Sequence, residues 1–233
     1  MHVGIIGGTG PAGLGLAARL ADVGIRVTVG SREATRAKGV VEDVLDRWPD
    51  RRLALVGDAN DEAARADIVV LATPWDAAVA TARGVADHLE GKVLVSMCNS
   101  LHQVSGEFQW LTPARGSVAE SVQVVLRKTA VGAAFHHLPA RMLAKLDQPM
   151  DCDVLVCADD LMAVEQTVEL VRTVPGLRPV VAGTLSMAGA IEAFTAVLLN
   201  VNVRHKTRAA IRLTGLDGVG DVGTAQVGPP GTG

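Results

Sequence analysis

The run Gly8-Thr9-Gly10-Pro11-Ala12-Gly13 is the first place where residue types and spacing point to chemistry. In a G-x-G-x-x-G run one glycine allows a tight turn and another lets backbone approach a pyrophosphate. The third lets a strand and a helix pack closely. The helix behind it offers unpaired N–H groups and partial positive charge to phosphate. Here the run follows the apolar stretch Val3 to Ile6 and opens a helical pattern through Leu14, Leu16, Leu20 and Val23. That context makes a common motif specific, although an ordinary glycine-rich turn has the same letters. Pro11 falls at the first helical position, where its missing N–H costs little, and Thr9 adds a hydroxyl.

The next chemistry lies at the end of the second strand. NAD-binding proteins place an acid there to accept from the ribose 2′-hydroxyl. This chain reads Gly30-Ser31-Arg32, with Arg36 one helical turn on. A hydroxyl and two guanidinium groups suit a 2′-phosphate, so NADP(H) is preferred over NAD. The plainer reading is a solvated helix start. Thr73-Pro74-Trp75 and Ser96-Met97-Cys98-Asn99-Ser100 close two further strands, where ligands of such sheets sit. Trp75 either walls a pocket or caps the following helix. Cys98 has no positioned base and reads as a small buried filler.

Composition narrows the class. Of 233 residues, 48% are hydrophobic and 20% charged, so the chain can bury a core and is not disordered. Three Phe, three Trp, no Tyr and a net charge of −3 argue against a nucleic-acid binder. The missing Tyr also removes mechanisms that need a tyrosine acid. Cys98, Cys152 and Cys157 have no metal-ligand spacing and leave one thiol unpaired in any disulfide scheme, so no metal and a reducing, cytoplasmic location are expected. No basic leader precedes an apolar run, so no signal peptide is expected. Val180 to Val203 is apolar but broken by Gly183, Ser186 and Gly189, which favours a buried helix over a membrane span.

These motifs need elements to position them. Strands are expected at Val3 to Ile6, Val27 to Val29, Leu53 to Val56, Ile68 to Leu71, Val93 to Val95 and Ala130 to Phe135. Helices are expected between them, including Arg32 to Arg47 and Asp76 to Leu89. Alternation of this kind gives an α/β fold: a Rossmann-like, doubly wound parallel sheet. Beyond it, strands at Asp153 to Cys157 and Leu177 to Val181, with helices at Asp160 to Val174 and Ser186 to Leu213, suggest a small C-terminal α/β domain. The expected division is 1–145, 146–216 and a disordered glycine-rich tail at 217–233.

The chain resembles the NADPH-dependent reductases of coenzyme F420, the F420H2:NADP oxidoreductases. The resemblance runs to about Leu216 and rests on Gly7-Gly8-Thr9-Gly10, Gly30-Ser31-Arg32, Pro74-Trp75 and His136-x-Leu138-Pro139-Ala140. It continues through Asp153-Val154-x-Val156-Cys157, Gly176-Leu177-Arg178-Pro179 and Glu192-x-x-Thr195-x-x-Leu198-Leu199-Asn200. Phe135 to Leu138 and Asn202 to Arg208 resemble the actinobacterial branch. The resemblance implies reversible hydride transfer between NADP(H) and coenzyme F420, a deazaflavin, bound in a cleft between the two domains. It implies NADP contacts from Thr9 to Ala12, Ser31, Arg32, Arg36, Thr73, Asn99 and Ala140. It implies a deazaflavin wall of His136, Leu138 and Pro139. Met187 and Ala188 depart from the polar residues that relatives carry there, and the tail has no counterpart.

Direct transfer between two carriers needs proximity, orientation and water exclusion more than a strong acid. One proton must still reach deazaflavin N1, for which His136, His137 or a backbone N–H is the candidate. Arg204, Arg208 and Arg212 fall at helical spacing in a stretch without acids and would suit the coenzyme's phosphodiester and glutamate tail, or a solvated or dimer face. The expected partners are small-molecule cofactors and a second copy in a homodimer, with no nucleic acid and no membrane. The alternatives are an NADP-dependent reductase of a flavin, ferric chelate or imine, and a non-enzymatic NADP-sensing module.

Overall fold

Continuous apolar runs must be covered on both faces, and a computed structural model, which describes residues 1–216, shows how. Its strands are β1 (His2–Ile6), β2 (Arg26–Ser31), β3 (Leu55–Ala59), β4 (Ile68–Leu71), β5 (Val93–Ser96), β6 (Leu101–Val104), β7 (Glu107–Trp110), β8 (Ala130–Ala133), β9 (Cys152–Ala158) and β10 (Leu177–Gly183). Its helices are α1 (Pro11–Asp22), α2 (Ala34–Arg47), α3 (Asn60–Ala63), α4 (Trp75–Gly84), α5 (Ala86–Leu89), α6 (Val118–Val125), α7 (Ala140–Leu143), α8 (Leu161–Arg172) and α9 (Ala188–His205).

Eight strands form one sheet in the order β10-β9-β8-β5-β4-β1-β2-β3. From β3 to β8 every pairing is parallel, which is the doubly wound order expected. The order reverses between β1 and β4, so a crevice opens above their C-terminal ends. Strand residues alternate between two cores. Val3, Ile5, Val27, Val29, Ile68 and Val70 pack on the α1, α2 and α8 side. Ile6, Val69, Leu71 and Leu94 pack on the α4 and α6 side. Each such aliphatic side chain contributes about 1.5–3 kcal/mol on burial. A Cβ at Gly4 would lie 1.8 Å from the Ala63 carbonyl, so glycine there lets α3 lie against the sheet.

The residues from 146 onward do not build a sheet of their own. β9 joins antiparallel to β8 through Gly132 and Ala133, and β10 runs parallel to β9. The expected tail at 217–233 lies outside the described residues.

Several local expectations shift. β3 starts two residues late, because its pairing with β2 runs from Leu55 to Ala59 and Gly57 lets the α2 backbone come close. The helix expected over Asp76 to Leu89 breaks between Gly84 and Ala86 into α4 and α5. A hairpin, β6–β7, and helix α6 fill a stretch that carried no expectation. The hairpin turns on Ser105 and Gly106, both at positive φ. The expected helix from Ser186 to Leu213 is corrected: α9 ends at His205, and Lys206 takes the left-handed conformation at φ 50. The Asn202 side chain accepts from the Ala209 amide and fixes the departing chain. Arg204, Arg208 and Arg212 therefore share no helix face. Arg204 pairs with Glu107, Arg208 reaches Gln148, and Arg212 pairs with Asp151 and Asp153.

Helix α9, where a buried helix was expected, buries one side only. Leu185–His205 is long and apolar enough to cross a membrane by length and composition. One side packs on α6 and β7, while Met187, Phe194, Val197 and Val201 are exposed on the other.

Candidate active site

The glycines of the β1–α1 turn divide by function. Gly7 has φ 65, and a Cβ there would lie 2.2 Å from Thr73 Cγ2. A Cβ at Gly8 would lie 2.7 Å from the Ile5 carbonyl, and one at Gly13 would lie 2.7 Å from the Gly8 carbonyl. Packing therefore requires these three. A Cβ at Gly10 would meet nothing within 4 Å, so this glycine faces open room. No side chain caps α1, and its first backbone bond runs from the Leu14 amide to the Gly10 carbonyl. The Ala12 and Gly13 amides thus have no intrahelical acceptor. Pro11 takes the first helical position. Uncapped amides, the helix dipole and open space fit a pyrophosphate.

At the end of β2, Ser31 is buried and its hydroxyl accepts from the Glu33 amide at 3.3 Å. Arg32 and Arg36 are exposed, and neither guanidinium has a hydrogen-bond or ion-pair partner among the described residues. Ser31 and Arg32 line a hollow of about 370 Å³ with Ala59, Asn60, Asp61 and Thr81. A free guanidinium beside a hydroxyl, with a second exposed guanidinium one helical turn on at Arg36, fits a 2′-phosphate.

Asn60 was missed by sequence reasoning. Its Oδ1 accepts from the Gly7 amide at 2.9 Å and so fixes the turn from the β3 side. Its only sequence signal is a polar residue just after a strand end.

The crevice beyond β4 and β5 carries the other expected residues. Thr73 and Pro74 lead into α4, which Trp75 begins, with its indole partly exposed. Cys98 is buried, and its thiol donates to the Thr73 carbonyl at 3.3 Å. Burial pushes this thiol up to about 12, so it is inert as a nucleophile. Asn99 donates from Nδ2 to the His136 carbonyl at 2.6 Å, while its Oδ1 is buried without a partner among the described residues.

The loop after β8 supplies the facing wall. Phe135 sits at φ 64, unusual for a non-glycine residue, and its ring is fully buried. Burial of that ring holds a backbone conformation costing about 1–2 kcal/mol. His136 and His137 follow, both buried, with ring centroids 5.6 Å apart. Burial pushes His136 down to about 4 and His137 down to about 3, the latter aided by the neighbouring His136. Both are neutral imidazoles at neutral pH. His137 Nε2 accepts from the Leu155 amide at 3.0 Å, tying the loop to β9. Both ring nitrogens of His136 are buried without a partner among the described residues. Leu138 is buried, and Pro139 and Ala140 at the start of α7 are partly exposed.

Two anchors lay outside the sequence reading. Buried Arg19 on α1 donates to the carbonyls of Met142, Leu143, Lys145 and Gln148 at 2.7–3.1 Å, capping α7 and fixing the loop after it. Glu192 on α9 is 1% exposed and accepts from the Val118 amide at 3.0 Å and the Ala119 amide at 3.4 Å. Burial pushes its carboxyl up to about 7 despite those donors. No group of three or more metal-ligating side chains occurs among the described residues.

An uncapped helix over a glycine turn, at the switch point of a doubly wound sheet, defines a Rossmann-type dinucleotide-binding protein. The family model for coenzyme F420-dependent NADP oxidoreductases matches residues 2–100. The F420-dependent NADP reductase of Methanocaldococcus jannaschii is 34% identical over 93% of this chain and 100% of its own length. That of Methanothermobacter thermautotrophicus is 37% identical over 93% of this chain and 96% of its own. This chain belongs to the F420-dependent NADP reductase family. A solved structure from Arthrobacter sp. FB24, provisionally assigned as an F420-dependent NADP reductase, has a TM-score of 0.74 at 22% identity. It covers 91% of this chain and 98% of that one, and supports the fold.

Proposed function

We propose that this protein is an F420-dependent NADP reductase, passing a hydride reversibly between NADP(H) and coenzyme F420. The observation that carries the reading is the unpaired Arg32 beside Ser31 in one hollow, with unpaired Arg36 one helical turn on, next to a family-typical glycine turn. The nicotinamide and the deazaflavin, when bound, supply the two carbon atoms between which the hydride moves.

The chain's own residues bind, orient and exclude water. Gly8 to Gly13 hold the pyrophosphate, and Ser31, Arg32 and Arg36 hold the 2′-phosphate. Thr73, Pro74, Trp75, Asn99 and Ala140 border the nicotinamide side, and Leu138 and Pro139 border the deazaflavin side. Residues 146–216 act as the second half of this cleft, though they share the sheet. We assign His136 a hydrogen-bond donor role at deazaflavin N1: its neutral imidazole N–H orients the ring, and the proton that N1 gains comes from solvent. His137 is committed at Nε2 to the Leu155 amide and acts as a positioning residue.

The exposed stripe of Met187, Phe194, Val197 and Val201 supports a homodimer contact rather than a membrane span. Three buried free thiols support a reducing, cytoplasmic location. The net charge of −3 supports small-molecule rather than nucleic-acid partners.

The direct test is optical. Protein mixed with NADP and reduced coenzyme F420 should regenerate the oxidised deazaflavin chromophore. No change with active cofactors would sink the reading and favour another acceptor or a sensing role. Phe194→Arg should convert a dimer to monomers in sedimentation.

A further inference from the structure

The α1–α2 side of the molecule carries a trough that meets the proposed pyrophosphate turn at Thr9 and Pro11 and otherwise lies outside the cofactor assignments. One hollow of about 270 Å³ begins at Thr9 and Pro11, in the phosphate turn, and runs over Leu14 and Ala18 to Arg47, Trp48 and Ala144. A second, of about 440 Å³, shares Arg47, Trp48 and Ala144 and adds Arg141, Lys145 and Arg208. Four cations thus face two carboxylates, Asp43 and Asp147. The side chains of Arg47, Arg141 and Lys145 have no hydrogen-bond or ion-pair partner among the described residues, and Arg208 has only a 3.4 Å contact to Gln148 Oε1.

The trough is held in shape. Arg19 binds four carbonyls between Met142 and Gln148, which fixes α7 and the segment carrying Lys145. The Arg51 guanidinium lies 5.3 Å from the centre of the Trp48 ring and also pairs with Asp22. The trough also adjoins the proposed deazaflavin wall. Pro139 and Ala140 pass directly into Arg141, and α7 leads on to Ala144 and Lys145, a rise of about 6–8 Å.

We propose that this trough binds the anionic tail of coenzyme F420, its phosphodiester and glutamate carboxylates, as the coenzyme leaves the deazaflavin wall. This rests on the hydride-transfer reading above. A chain of spaced anions matches spaced, unpartnered cations, and the guanidinium groups of Arg47 and Arg141 suit carboxylate and phosphate oxygens. Arg47, Arg141 and Arg208 are solvent-exposed, so salt should weaken the contact.

The test compares two carriers, coenzyme F420 and the same deazaflavin lacking the phosphodiester and glutamates. In the full-length Arg47→Glu/Arg141→Glu protein, KM for coenzyme F420 should rise about tenfold. KM for the tail-less carrier and for NADP should move less than about twofold. High salt should raise the wild-type KM for coenzyme F420 selectively. Arg47→Gln/Arg141→Gln should act in the same direction with a smaller effect, keeping the comparison readable if charge reversal impairs folding. Turnover with equal KM changes for both carriers, or with none, overturns this inference alone. Wild-type protein that reduces neither carrier overturns the hydride-transfer reading and this inference together.

Discussion

Asn99 Nδ2 donates to the backbone carbonyl of His136 at 2.6 Å, joining the loop after β5 to the loop after β8. In the proposed assignment, this bond ties the nicotinamide side of the cleft to the deazaflavin side. Asn99→Asp replaces the donor with a carboxylate facing a carbonyl. Loss of the bond plus that repulsion is worth about 1.5–2 kcal/mol, so the hydride-transfer rate should fall at least about tenfold. Stopped-flow measurement under saturating cofactors reads this directly. A rate within twofold of wild type would show that the bond sets nothing in the reaction.

Arg32 stands where an NAD enzyme would carry an acid. Arg32→Asp removes a guanidinium from the 2′-phosphate and offers a carboxylate to a 2′-hydroxyl. The ratio of NADP to NAD affinity should drop by about 100-fold, equivalent to about 2.7 kcal/mol. Titration with both dinucleotides checks it, and an unchanged ratio would remove the 2′-phosphate assignment.

Arg19 is 7% exposed and serves four carbonyls at once. Arg19→Met keeps part of the apolar stem but leaves those oxygens buried. The expected cost is about 3 kcal/mol in chemical denaturation, with weaker cofactor turnover because Ala140 to Lys145 lose their anchor. A variant as stable as wild type would show that the carbonyls find other donors.

Burial acts on Glu192 and on the two histidines with opposite signs in pH. Glu192 is raised to about 7, so its stabilising contribution is present below its unfolded value and lost as pH climbs through 7. Glu192→Gln should therefore lose less stability than wild type between pH 5 and 8, by roughly 2 kcal/mol. His136 and His137 are lowered to about 4 and about 3, so their contribution is present above 6.5 and fades as pH falls toward those values. Neither should titrate between pH 6 and 8. An NMR-detected imidazole transition near 6.5 at His136 would contradict its burial.

The cofactor turn was legible because its chemistry is local. Gly8 to Gly13, Ser31 and Arg32 act through backbone conformation and strand ends that neighbouring residues dictate. The ends of α9 and β3 were not legible, since Asn202 and the register with β2 decide them. The fate of residues 152–183 was equally hidden. Their strands were visible, but joining β8 antiparallel is a choice among sheet edges that no local pattern encodes.

By itself the sequence determined the alternation of strands and helices, the glycine turn between β1 and α1, and the basic residues that follow β2. Periodicity and turn chemistry are short-range, so they survive without a fold. Only the tertiary structure decided that His137 is committed to Leu155, that Arg19 caps α7, and that Arg47 meets Arg141 and Arg208 along one trough. These depend on contacts between residues far apart in the chain, and on which polar groups burial leaves without water.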